Sequence, residues 1–179
     1  EKIALTACSN GLEARKKPTV DALCAYLTDL GLTPVLSSCL YEKDPIHTSV
    51  FSGTAEERAE ALMGFYRDPE VKAIFDLSGG DIANEILPWL NFETIAESKA
   101  VFWGYSDLTT ILNAIYVKTG KTSVLYQARN LVSEAGAFRR SAFEQTLSRK
   151  KSDLFQISWK YVQQRQNQQQ PPLTGTVVG

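Results

Sequence analysis

Short apolar runs that alternate with segments of helical periodicity constrain this chain more than any other feature. Residues 3–7 form the first run, and residues 18–30 follow with Val20, Leu23, Cys24, Leu27 and Leu30 on one helical face. Pro18 suits the first helical turn and Gly31 the stop. Residues 34–38, 71–77, 100–105 and 123–126 read as four further strands. Between them, Thr54 and Glu57 have capping-box spacing and open a helix that runs to about Arg67, before Asp68 and Pro69. After the fourth strand, Ser106 or Asp107 is placed to cap a helix that runs through Val117. Strands that alternate with helices in this way predict right-handed βαβ units. The expected fold is therefore α/β: a parallel sheet of about five strands with helices on both faces.

Ligands of such folds bind at the carboxyl ends of the strands. The loop after Thr6, the Gly79-Gly80 pair and Ser106-Asp107 all fall at that edge. The stretch from Leu77 to Pro88 carries the most information. Gly79 and Gly80 follow a strand and precede Ile82, Ile86 and Leu90 at helical spacing. A turn that tight is cheap only for glycine, and it aims free N–H groups at whatever sits beside the helix start. Hydrolases put a serine in such a turn, close to two N–H donors that hold an oxyanion. Here the third residue past Gly80 is Ala83, whose methyl cannot attack a carbonyl.

Composition narrows the classes. Apolar residues make up 44% and charged residues 22% of 179 residues, as in an ordinary globular protein of one domain. A net charge of −1 with no basic stripe argues against a nucleic-acid partner. No apolar run approaches the roughly 18–20 residues that span a bilayer, so no membrane segment is expected. Cys8, Cys24 and Cys39 are odd in number and lack metal-type spacing, which reads as reduced thiols in a cytoplasmic protein. His47 is the single histidine, set beside Asp44, Pro45 and Thr48 in a loop expected to face solvent. Neither a metal nor a cofactor is expected.

The joint pattern of Ser78-Gly79-Gly80-Asp81-Ile82-Ala83-Asn84, Leu87-Pro88-Trp89, Ser98-Lys99 and Gly104-Tyr105-Ser106-Asp107-Leu108-Thr109 resembles the LD-carboxypeptidase family. That family includes muramoyltetrapeptide carboxypeptidases and microcin C self-immunity peptidases. The resemblance implies a flavodoxin-like or class I glutamine amidotransferase-like sheet carrying the nucleophilic serine, and a second domain that supplies a glutamate and a histidine. By the same resemblance, Ala83 stands at the nucleophile position, and Gly79, Gly80, Asp81, Asn84, Ser106 and Asp107 belong to the oxyanion and substrate-binding set. Residues 1–152 then form the N-terminal domain. Residues 153–179, with the glutamine-rich tract from Gln163, form a linker and the entry into a C-terminal domain that is missing here.

Each site residue also has a purely structural explanation. Asp81 complements a helix dipole, Ser106-Asp107 caps a helix, and Trp103, Tyr105 and Trp89 pack the core. Two functions follow from the resemblance. One is the nucleophile domain of a serine peptidase acting on murein-type or related peptides, inactive as it stands because it lacks the serine and its base. The alternative is a non-catalytic module that binds a peptide or nucleotide-peptide. A small peptide-type partner and self-association as a homodimer are expected of either. An unrelated flavodoxin-like nucleotide binder has no phosphate-cradling fingerprint to support it.

Overall fold

The computed structural model describes residues 1–43, 50–134 and 136–147. His47 and the whole of residues 153–179 lie outside the described residues. Five strands, β1 (Lys2–Thr6), β2 (Thr33–Leu36), β3 (Val71–Asp76), β4 (Val101–Gly104) and β5 (Val124–Leu125), form one sheet. Every pairing is parallel and the spatial order is β2-β1-β3-β4-β5. Parallel strands are buried on both faces, which explains why the strand sequences read as nearly continuous apolar runs.

The two faces separate by the alternation of side chains along each strand. Ala4, Ile74 and Phe102 point to one cluster with Ala59, Leu62, Met63 and Tyr66 of α2 (Ala55–Arg67), Ile95 of α3 (Phe92–Glu97), and Ile111 and Ile115 of α4 (Thr109–Thr119). Ile3, Leu5 and Phe75 point to the other, with Val20, Leu23 and Leu27 of α1 (Lys17–Asp29) and Phe143 of α5 (Gly136–Leu147). Phe143 and Trp103 pack against Phe75 and against each other on this second face, and Tyr126 meets Trp103 edge-on.

Local signals explain the helix ends. Pro18 lies in the first turn of α1, and Gly31, just past its end, has φ +76°. Thr54 accepts from the Glu57 N–H while the Glu57 carboxylate accepts from the Thr54 N–H, so the capping box is complete. The helix expected after Gly80 is instead a 3-10 helix, Ala83–Trp89, interrupted by Pro88. Proline has no N–H to donate and its ring clashes with the preceding turn, so a regular α-helix cannot run through it.

Candidate functional site

The connection reverses direction between β1 and β3, since β1 is flanked by β2 on one side and β3 on the other. A ligand crevice is expected at such a switch point. A cleft of about 640 Å³ opens there. Each neighbouring strand end contributes to its wall: Asn10 after β1, Ser78, Gly79 and Gly80 after β3, Tyr105 and Ser106 after β4, and Gln127, Arg129 and Asn130 after β5.

The turn is built tightly. Gly80 has φ +153°, and a Cβ at that position would collide with the Asn10 carboxamide. Ser106 is the one non-glycine residue with positive φ among the described residues, at +65°. Residues held in such sparsely populated regions cluster at functional sites. Its side chain lies against Gly79.

Beneath the cleft, polar groups tie the loops together. Asp76 at the end of β3 is fully buried and accepts from the Cys8 N–H at 2.8 Å, the Ser78 N–H at 2.9 Å and the Ser78 hydroxyl at 2.5 Å. Burial pushes its carboxyl above the usual range, and the donors from Ser78 and Cys8 pull it back. The Ser78 hydroxyl in turn accepts from the Ser9 N–H. Asp107 accepts from the Ser9 hydroxyl at 2.5 Å and from the Ala83 N–H at 3.2 Å. Arg58 of α2 is fully buried and reaches the same loops. Its Nη1 donates to the Cys8 carbonyl at 2.6 Å and, at 3.4 Å, to those of Ser9 and Ile82. Its Nη2 pairs with Glu85 at 2.6 Å.

Several sequence expectations change here. Ser106 and Asp107 do not cap α4: no side chain makes a cap bond at the start of that helix or of the 3-10 turn before it. The Asp107 carboxylate is drawn away by the Ser9 hydroxyl and the Ala83 N–H, which are stronger and better enclosed partners. Tyr105 is 54% exposed and lines the cleft rather than the core, because it lies beyond the last paired residue of β4. Trp89 is 52% exposed, beside Cys39 and Glu57.

Ala83, expected with its Cβ open to a cleft, is only 1% exposed and packs in the cluster that holds Ile86, Leu90 and Leu108. A methyl group gains by leaving water, and its N–H is held by Asp107. The cleft therefore brings together Gly79, Gly80 and Ser106 of the expected set, with Asp107 bonded to the Ala83 N–H behind them. Asp81 and Asn84 are exposed and stand outside the lining of this cleft.

Arg58, Gln127, Arg129 and Asn130 were not foreseen. The last three directly follow the fifth strand, so the strand-end rule that singled out Gly79 and Ser106 applies to them equally. Gln127 donates to the Ser78 carbonyl at 3.1 Å and so joins the β5 end to the Gly-Gly turn. Among the described residues, no group of three or more His, Cys, Asp or Glu side chains could hold a metal ion, and no helix is long and apolar enough to cross a membrane.

The strand order, the Gly79-Gly80 turn and a polar cleft at the carboxyl edge define an α/β domain of the class that holds small ligands at its strand ends. Residues 3–127 match the LD-carboxypeptidase N-terminal domain family, and the chain belongs to that family. It is similar to the microcin C7 self-immunity protein MccF of Escherichia coli, at 39% identity over 69 residues, which are 38% of this chain and 20% of that protein. A Bacillus subtilis protein named "Probable murein peptide carboxypeptidase" is 33% identical over 101 residues, 56% of this chain and 30% of that protein. Among solved structures, the MccF-like protein of Bacillus anthracis has a TM-score of 0.68 at 30% identity, covering 82% of this chain and 44% of that one. The chain thus spans less than half the length of these relatives.

Proposed function

We propose that this chain is the nucleophile-position domain of an LD-carboxypeptidase-like protein that binds a small peptide-type ligand and, in the form given, does not hydrolyse it. The observation that carries this reading is a polar cleft at the Gly79-Gly80 turn together with a methyl, buried and outside that lining, at position 83. The strand ends, the Gly79-Gly80 turn and the Asp107 contact to the Ala83 N–H are in place, yet the residue that would attack carries only a buried methyl. Serine chemistry needs an oxygen, a base to take its proton and a group to orient that base. The chain has one histidine, His47, which follows β2 in the sequence rather than the Gly79-Gly80 turn.

MccF has been solved with glutamyl sulfamoyl guanosine and with aspartyl sulfamoyl adenosine, both of which join an amino-acyl group to a nucleoside. Murein-type peptides and amino-acyl nucleosides are accordingly the two ligand classes to compare. The test has two arms. Calorimetry should show binding of a murein tetrapeptide without release of its terminal D-alanine. Ala83→Ser should restore release only in a chain that also carries a second domain with a glutamate and a histidine. Release by the 179-residue chain carrying Ala83→Ser alone would show that a base is already present and would overturn the reading.

A further inference from the structure

We propose that Arg129 anchors a carboxylate of the ligand in the cleft, so that the site selects molecules ending in a free acid beside an amide. This rests on the reading that the cleft binds a peptide-type ligand. Three observations lead to it. Arg129 lines the cleft, its Nε is buried, and that atom has no hydrogen-bond partner. No ion pair within 4 Å holds its guanidinium among the described residues, although the buried Asp76 carboxylate acts on its charge. The Arg58 Nε is also buried without a partner, but Arg58 lies outside the cleft lining and its Nη2 pairs with Glu85. A buried donor without an acceptor is costly, and native structures rarely keep one unless something else fills the role. The backbone N–H of Arg129 donates to the Gln127 side chain, which is bonded to the Ser78 carbonyl, so the residue is tied to the Gly-Gly turn.

The charges of the cleft select among anions. Glu13 and Glu42 face it along with Lys16 and Arg129, two acids against two bases. Glu13 is already engaged by Arg15 through two bonds. With Glu13 engaged, Lys16 and Arg129 stand against Glu42 alone, an excess of one positive charge that a monoanion matches and a phosphate dianion exceeds. A singly charged planar carboxylate matches the guanidinium fork and needs only one cation. The second orphan in the same cleft is the buried Asn10 Oδ1, an acceptor without a donor, seated against Gly80. A ligand that presents a carboxylate and an adjacent amide N–H satisfies both, and the terminus of an acylated amino acid is such a group.

The test follows the Arg129 Nε–H resonance by NMR in the 179-residue chain. The probes are N-acetyl-D-alanine, N-acetyl-D-alaninamide and inorganic phosphate, and affinities come from the same titrations. The acid should move the Arg129 resonance and should bind about ten-fold or more tighter than the amide, the scale of a charge-assisted pair. Arg129→Gln should abolish that preference. Arg129→Lys should keep part of it, since the charge remains but the fork is lost. If the acid leaves the Nε–H unmoved, or if Arg129→Gln retains the preference, the anchor assignment is overturned. Phosphate binding as tightly as the acid at Arg129 would overturn the choice of carboxylate. Equal shifts of the Gly79 and Gly80 amides by acid and amide would leave the ligand-binding cleft standing and remove only the role of Arg129.

Discussion

Replacing Arg58 is the sharpest test of how the cleft is held together. The guanidinium is fully buried and is shared by the Cys8, Ser9 and Ile82 carbonyls and the Glu85 carboxylate. Arg58→Ala strips one strong and two long hydrogen bonds from backbone carbonyls of the loops after β1 and β3. A buried acceptor left empty costs about 1–3 kcal/mol, and the two longer contacts add tenths each. The vacated volume adds a cavity term of similar size. Removing a buried cation also relieves its desolvation, which offsets part of the loss. The carboxylate left behind is cheap to leave, since Glu85 is 43% exposed and can be hydrated. The net expectation is a loss of about 3 kcal/mol, with Arg58→Met nearer 2 because it refills the space. Glu85→Gln should cost about 1 kcal/mol or less, as for other water-accessible pairs. Urea denaturation followed by circular dichroism checks all three, with an unchanged slope as the sign that only stability moved. If Arg58→Ala stays within about 0.5 kcal/mol of the parent, or if Glu85→Gln is the more damaging change, the carbonyl contacts are not what holds these loops.

Gly80→Ala should destabilise the fold by about 1–3 kcal/mol, the cost of an L-residue in that backbone region, and should weaken ligand binding by pushing the Asn10 carboxamide aside. Adding Asn10→Ala should relieve the collision but not the backbone cost, which denaturation of the double variant would reveal. Lys121→Met should lose about 2 kcal/mol by calorimetry, because Lys121 donates to the Ile95, Ser98 and Ala100 carbonyls at and beyond the end of α3. Stability should fall with acidification below about pH 4.5 in part through Glu57. The Lys43 ammonium and the Thr54 N–H hold its carboxyl below its ordinary 4.5, so its contribution is present above that value and lost as the pH drops through the lowered one. Glu57→Gln should flatten that part of the melting temperature against pH curve, and an unchanged slope would refute the assignment.

What the sequence alone determined is local. Apolar runs at 3–7, 34–38 and 71–77, and helical faces such as Val20, Leu23 and Leu27, follow from side-chain periodicity within one segment, so they were legible. So were the capping box at Thr54 and Glu57, the stop at Gly31 and the Gly79-Gly80 turn, because each is decided by neighbours a few residues away. The family motif then marked the strand ends where ligands sit. Only the tertiary structure decided which polar groups meet. Asp107 answers Ser9 across 98 positions instead of capping its own helix, and Arg58 reaches Cys8 across 50. Tyr105 leaves the core because pairing of β4 stops one residue earlier, and Ala83 enters it because its methyl finds Ile86 and Leu108. Arg129 lies among ordinary loop residues in the sequence, and the burial of its Nε without a hydrogen-bond partner exists only in the fold. Long-range partners are chosen by how the strands are ordered and packed, and periodicity along a segment carries no record of that choice.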